Sequence, residues 1–209
     1  MVTNLPSSQA TENETTILAS GIFNMGFFAV RDSTPGEQFL RWLSSRVQHE
    51  CVNDRAEHRY LDQRWADLVP AIFDEVGIDQ SLGSNVAYWN LFERPLTKSA
   101  TGQYMIGQTP LTFFHFSGFD PRRQESISKH QSSASKSEVL QELIENYKVS
   151  LLEQGASEIA SHPYGFAALS DGTPISDAWR EAVRKRAPEL EDIEDPFDTK
   201  ANPNLVNRM

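Results

Sequence analysis

Apolar residues fall in a few dense blocks along this chain, separated by polar gaps, and the blocks differ in period. The run ILASGIFNMGFFAV, residues 17 to 30, is mostly apolar with β-branched and aromatic members, which predicts a buried strand entered through Gly21. After the turn signal Asp32-Ser33-Thr34-Pro35-Gly36, apolar residues at Phe39, Leu40, Trp42, Leu43 and Val47 keep a helical period to about Cys51. A second helix is expected from Leu61 to Val69, with Leu61, Trp65 and Leu68 on one face and Pro70 as its stop. Asn85 to Trp89 and Leu111 to Phe116 read as further short strands. Strand, helix, helix, strand, strand in that order predicts an α/β domain.

Beyond Phe119 the pattern changes. The stretch RRQESISKHQSSASKSE is polar and Ser-rich, the composition of a linker. A helix is expected from Ser137 to Gln154, with Val139, Leu140, Leu143, Ile144, Tyr147, Leu151 and Leu152 on an apolar stripe and Gly155 as its cap. Another is expected from Asp177 to Arg186, before the acidic run Glu189 to Asp195. The expected organisation is a frayed lead over residues 1–16, an α/β domain over 17–121, a polar linker over 122–136, a helical extension over 137–187 and an acidic, irregular tail over 188–209.

Composition narrows the function classes. Among 209 residues the 29 acidic outnumber the 19 basic, for a net charge of -10, which works against the phosphate neutralisation that nucleic-acid binding needs. The single Cys51 cannot form an intrachain disulfide and fits a reducing compartment. The first twenty residues carry no basic and apolar signal pattern, and no apolar run approaches eighteen residues. A cytoplasmic protein without a membrane span is the expectation. The chain has no G-x-G-x-x-G, no G-x-x-x-x-G-K-[ST], no H-E-x-x-H, no G-x-S-x-G and no Asp-x-Asp, so the nucleotide-loop, zinc-protease and hydrolase-elbow chemistries lack their motifs.

Four places combine polar groups with apolar surroundings. Asn24 and Gly26 sit inside the first block; a glycine within a strand marks close approach of a ligand or a neighbouring strand, and the amide is either satisfied by the backbone or offered to a ligand. Asp62 and Gln63 open the second helix, where a carboxylate is either a cap or a sugar-gripping group. Asn85, Tyr88 and Trp89 put amides beside aromatic faces, which suits a carbohydrate ring and equally an ordinary strand and turn. His115 ends an apolar strand and is followed by the small pair Ser117-Gly118; it is either a satisfied core imidazole or a ligand for a divalent metal or phosphate.

Taken in order, GIFNMGFFAV, FLRWL, YLDQRWADLVPAIF, NVAYWNLFER, PLTFFHFSGFDP and SKHQ resemble blocks of bacterial GT-A-type glycosyltransferases, with a weaker continuation through SHPYGFAALSDGTPI. The resemblance implies a GT-A-like mixed sheet with flanking helices, and transfer of a sugar from a nucleotide-sugar donor to a glycan acceptor in cell-surface polysaccharide synthesis. It implies that Asn24 and Gly26 lie beside the donor sugar and that Asp62 and Gln63 grip a sugar hydroxyl as the catalytic pair. Asn85, Tyr88, Trp89, Ser117 and Gly118 are expected to bind substrate. His115 is similar in position to the histidine that ligates Mn or Mg or contacts the diphosphate in glycogenin-like members. The match begins after the nucleotide-binding βαβ half of that fold, and the Asp-x-Asp is absent. The expectation is therefore an incomplete domain, weak or inactive alone because leaving-group charge lacks its electrostatic stabiliser, with a separate chain as one source of the missing half. The other reading is a non-catalytic glycan- or protein-binding module derived from such an enzyme.

Overall fold

A computed structural model of the chain describes residues 1–3, 11–122, 127–129, 137–190, 192, 193 and 195–205. The expected α/β class is what the chain adopts: among the described residues, short strands in three small antiparallel sheets, with helices between and around them. Among the described residues parallel pairing is limited to isolated bridges such as Val86 with Phe114. Two compact units divide at the end of a long helix, Met1–Glu153 and Gln154–Met209.

The first unit begins with a strand, β1 (Val2–Thr3), followed by a helix, α1 (Thr11–Ser20), and β2 (Phe23–Asn24). β1 and β2 pair antiparallel, Val2 against Asn24 and Thr3 against Phe23. Two expectations are corrected here. The N-terminal lead is not frayed where it is described: Val2 is 1% exposed. The rest of that lead, residues 4–10, lies outside the described residues. The run from Ile17 to Val30 is not one strand either. Gly21, at φ +113°, stops α1, and its amide donates to the Ile17 carbonyl at 2.7 Å, so the glycine read as an entry to a strand is the end of a helix.

Helix α2 (Thr34–Glu50) starts inside the turn signal, because the Ser33 hydroxyl accepts from the Gly36 amide at 3.3 Å and Pro35 fits the first turn. It buries Phe39 and Leu43 against Val69, with Trp42, Trp65 and Phe73 around them. A small hairpin, β3 (Asn53–Asp54) and β4 (Arg59–Tyr60), leads into α3 (Gln63–Ala66) and α4 (Val69–Ile72). The single helix expected from Leu61 to Val69 is thus two short ones. Leu61 has a left-handed backbone, φ +52°, which no helix accommodates, and Pro70 lies in the first turn of α4, where its missing N–H costs nothing.

The sheet richest in strands was not expected. β5 (Leu96–Lys98), β6 (Tyr104–Ile106) and β7 (Thr109–Pro110) form an antiparallel meander that turns at Gly102 and Gly107, both with positive φ. The expected strands at 85–89 and 111–116 pair as an isolated parallel bridge, Val86 with Phe114, closed by the Val86 amide on the Phe113 carbonyl at 3.3 Å and the His115 amide on the Val86 carbonyl at 2.7 Å. Helix α5 (Glu138–Glu153) packs Leu140 into a core made by Val86, Leu96, Ile106 and Ile127. That packing draws α5 out of the expected extension and into the first unit. It also corrects the expected linker: Ile127 is 3% exposed and Ser128 1%, while residues 123–126 and 130–136, which include His130 and Gln131 of the SKHQ block, lie outside the described residues.

The second unit holds α6 (Ala156–Ile159) after Gly155, at φ +83° as its capping role requires, and α7 (Asp177–Lys185), capped by the Ser176 hydroxyl accepting from the Trp179 amide at 3.1 Å. A 3-10 turn, Ala187–Leu190, follows. The expected irregular tail folds back within this unit: the Ser170 amide donates to the Phe197 carbonyl at 3.1 Å, its hydroxyl donates to Asp198 at 3.0 Å, and Phe197 packs on the Trp179 ring. Residues 191, 194 and 206–209 of that tail lie outside the described residues. Among the described residues no helix is long and apolar enough to cross a membrane.

Candidate functional site

Eight of the ten residues singled out in sequence converge on one cavity of about 470 Å³ in the first unit, lined by Asn24, Gly26, Asp62, Gln63, Tyr88, Trp89, His115 and Ser117. They arrive from the end of β2, the start of α3 and the two segments joined by the Val86–Phe114 bridge. At one side, the Asn24 side-chain oxygen Oδ1 accepts from the Gly26 amide at 2.8 Å, closing a tight turn. A Cβ added to Gly26 would lie 2.5 Å from His115 Cε1 and 2.8 Å from Asn24 Oδ1, so only glycine lets the imidazole lie against this backbone.

His115 is held on its other side by Asn85. The amide nitrogen of Asn85 donates to the Thr3 carbonyl of β1 at 3.1 Å, and its carbonyl oxygen lies 3.2 Å from His115 Nδ1. Asn85 is 1% exposed and does not line the cavity, which corrects its expected substrate-binding role. Burial pushes the His115 imidazole below the ordinary histidine value, so the neutral ring is favoured. Trp89 meets the imidazole edge-on at 5.3 Å and 75°, and Tyr88 packs against Trp89 in the same T-shaped manner at 5.1 Å. The Trp89 indole N–H is buried without a hydrogen-bond partner among the described residues, an arrangement whose cost a polar ligand atom could relieve.

The opposite side is built by α3. Asp62 stands at its start, yet its carboxylate makes no capping bond; the cap reading fails because the residue itself is already helical, φ -74° and ψ -26°, where a capping residue is extended. The Gln63 side chain donates to the Ser20 carbonyl at 2.8 Å, tying α3 to the end of α1. The anchoring carboxylate is one that the sequence pattern did not single out. Asp67 accepts from the Ile22 amide at 2.7 Å and pairs with Arg64, and burial raises its pKa above the usual carboxylate value against those favourable contacts. Its only sequence signal was the Arg64 three residues earlier on a helix. Arg55, stacked on the Tyr60 ring at 4.6 Å, is the one cationic side chain of the described lining.

One further expectation changes. Gly118 does not line the cavity; it turns the chain at φ +70°, and its carbonyl accepts from the Lys129 amide at 2.9 Å. His115 offers one ligand for the expected Mn or Mg, and among the described residues no three His, Cys, Asp or Glu side chains come together to complete a protein donor set.

A chain with this site is similar to two proteins of Bacillus subtilis (strain 168). The uncharacterized protein YfnD is 33% identical over 102 residues, 48% of this chain and 32% of its own length. The uncharacterized protein YfnF is 28% identical over 99 residues, 47% of this chain and 33% of its own length. The similarity thus spans about a third of each of these relatives. No family model and no solved structure matches the chain.

Proposed function

We propose that this cavity is the sugar site of a glycosyltransferase, and that the chain takes part in moving a sugar from a nucleotide-sugar donor to a glycan acceptor in the cytosolic steps of cell-surface polysaccharide synthesis. The observation that carries the reading is the convergence of Asp62, Asn24, His115 and Ser117 with the Tyr88 and Trp89 rings on one cavity of about 470 Å³. A hexose ring has apolar C–H faces and a rim of hydroxyls. Aromatic faces stack on the former; a carboxylate, which only accepts, and a neutral imidazole, which also accepts, suit the latter. The volume falls in the range of small-ligand sites, roughly 300 to 1,000 Å³.

In this reading the Asp62 carboxylate grips a sugar hydroxyl and is the group placed to take the proton of an attacking acceptor hydroxyl. Arg55 is the residue nearest in kind to what a leaving diphosphate needs, and further donor-side groups come from outside the cavity, in additional sequence or in another chain. The test is to titrate the full chain with UDP-glucose, UDP-galactose, UDP-N-acetylglucosamine and oligosaccharides, following tryptophan fluorescence and release of nucleoside diphosphate. Saturable quenching that Asp62→Ala weakens at least tenfold supports the reading; no response from any sugar removes it.

The second reading, a module that holds a glycan without transferring it, draws on the single cationic side chain of the described lining. Oligosaccharide binding without diphosphate release, with Mn or Mg supplied, selects that reading over the first.

A further inference from the structure

The same site carries a chain of contacts that fixes more than position. The Thr3 carbonyl can only accept, so the Asn85 amide nitrogen must face it at 3.1 Å and the Asn85 oxygen must face the other way. That oxygen also can only accept, and it meets His115 Nδ1 at 3.2 Å. The proton of a neutral His115 is therefore on Nδ1, and Nε2 carries the lone pair. No described residue hydrogen-bonds Nε2, on a side chain that lines the cavity.

The Asn85 conformation is itself held in place. Its backbone is left-handed, φ +55°, which asparagine tolerates better than most residues. Asn90 clamps it from behind, donating to the Asn85 carbonyl at 2.9 Å while accepting from the Ala87 amide at 2.9 Å. The imidazole is confined by the Gly26 backbone on one side and by the Trp89 ring on another. A ring so confined has little freedom to turn and exchange its two nitrogens.

We infer that Asn85, anchored on Thr3, is a positioning residue that holds His115 as its Nδ1–H tautomer, so that Nε2 is the cavity's acceptor for a hydroxyl of the bound sugar. The hydroxyl part of this inference rests on the sugar-site reading; the tautomer part does not. Asn85 acts through His115 and touches no ligand. The pairing reproduces with an amide what a carboxylate does for histidines elsewhere, without adding a charge to the site.

The experiment is a long-range proton–nitrogen correlation spectrum of the histidine rings in the full-length, nitrogen-15-labelled chain, with His115 assigned by its loss in His115→Gln. The expected spectrum shows Nδ1 protonated and Nε2 bare in the wild type. Asn85→Ala moves that pattern toward the Nε2–H form and weakens sugar binding about tenfold, the scale of one lost hydrogen bond. A wild-type ring protonated on Nε2, or a pattern that Asn85→Ala leaves unchanged, overturns the inference, and the wild-type spectrum decides even if the alanine variant does not fold. With UDP-glucose, UDP-galactose and UDP-N-acetylglucosamine as probes, the Nε2 resonance is expected to shift. The expected tautomer with no response to any of the three leaves the positioning role of Asn85 standing and overturns the hydroxyl-acceptor role together with the sugar-site reading.

Discussion

Two cavities in the first unit differ little in size and greatly in construction. One, of about 540 Å³, lies among Phe28, Phe39, Val69 and Phe73; the other, of about 470 Å³, is the polar site. The first is a gap in an aromatic cluster, with Phe39 edge-on to Phe73 at 5.8 Å and to Phe28 at 6.0 Å, and its rim ion pair, Arg31 with Glu75 at 3.6 Å, is open to water and screened. The second is assembled from segments distant in sequence, and its polar groups are tied back to the main chain: Asn24 to Gly26, Gln63 to Ser20, and His115 through Asn85 to Thr3. Equal volume is not equal chemistry. A cavity becomes a site for a specific ligand when its polar atoms are oriented before the ligand arrives, because the ligand then does not bear that ordering cost.

The sharpest way to separate the two is to damage each. Phe39→Ala should cost about 3–5 kcal/mol of stability by urea denaturation while leaving the His115 tautomer unchanged in the folded fraction, since Phe39 belongs to the other cluster; a changed tautomer would mean the two cavities are coupled. Gly26→Val should cost less, about 1–3 kcal/mol, but abolish sugar binding, because the new Cβ would lie 2.5 Å from His115 Cε1. Wild-type binding by that variant would show that the imidazole can retreat.

A smaller effect is expected from pH. Burial lowers the His115 pKa, so the folded state takes up this proton less readily than the unfolded chain. Stability should therefore fall as pH drops through the ordinary histidine value toward the lowered one, and be unaffected by this residue above it. Thermal melts of His115→Gln against wild type across that window isolate the contribution; parallel curves would contradict it. The smallest stability change belongs to Asp62→Ala, within about 0.5 kcal/mol because the carboxylate caps nothing, yet the same substitution should weaken sugar binding at least tenfold. Loss of folding instead would restore a structural role to that side chain.

Much of the polar site was legible before the structure, and for a physical reason. Asn24, His115 and the Tyr88–Trp89 pair stand out because polar groups in apolar blocks must be satisfied, and a site is one way to satisfy them. Asn85 stands out for the same oddity, but its role differs from the expected one. Its amide is satisfied by Thr3, eighty-two residues away in sequence, a contact no local pattern reveals. Asp67 was invisible because an acidic residue near an arginine on a short helix is ordinary; only its bond to the Ile22 amide makes it an anchor. The β5–β7 meander escaped because its strands are two or three residues long, too short for alternation to register as a period.

Near-neighbour chemistry written in the chain was enough for the α/β class, for α2, α5 and α7 to within a few residues at their ends, and for the set of side chains with chemistry to offer. Those features rest on local interactions: helical period, a Ser33 or Ser176 cap, a glycine at φ +83° after a helix. Packing was needed to make Gly21 the end of a helix, to bring β1 into the fold and to close the first unit with α5. Packing also sorted the candidate residues into those that face the cavity and those that stand behind it, because that distinction depends on hydrogen bonds between segments far apart in the chain.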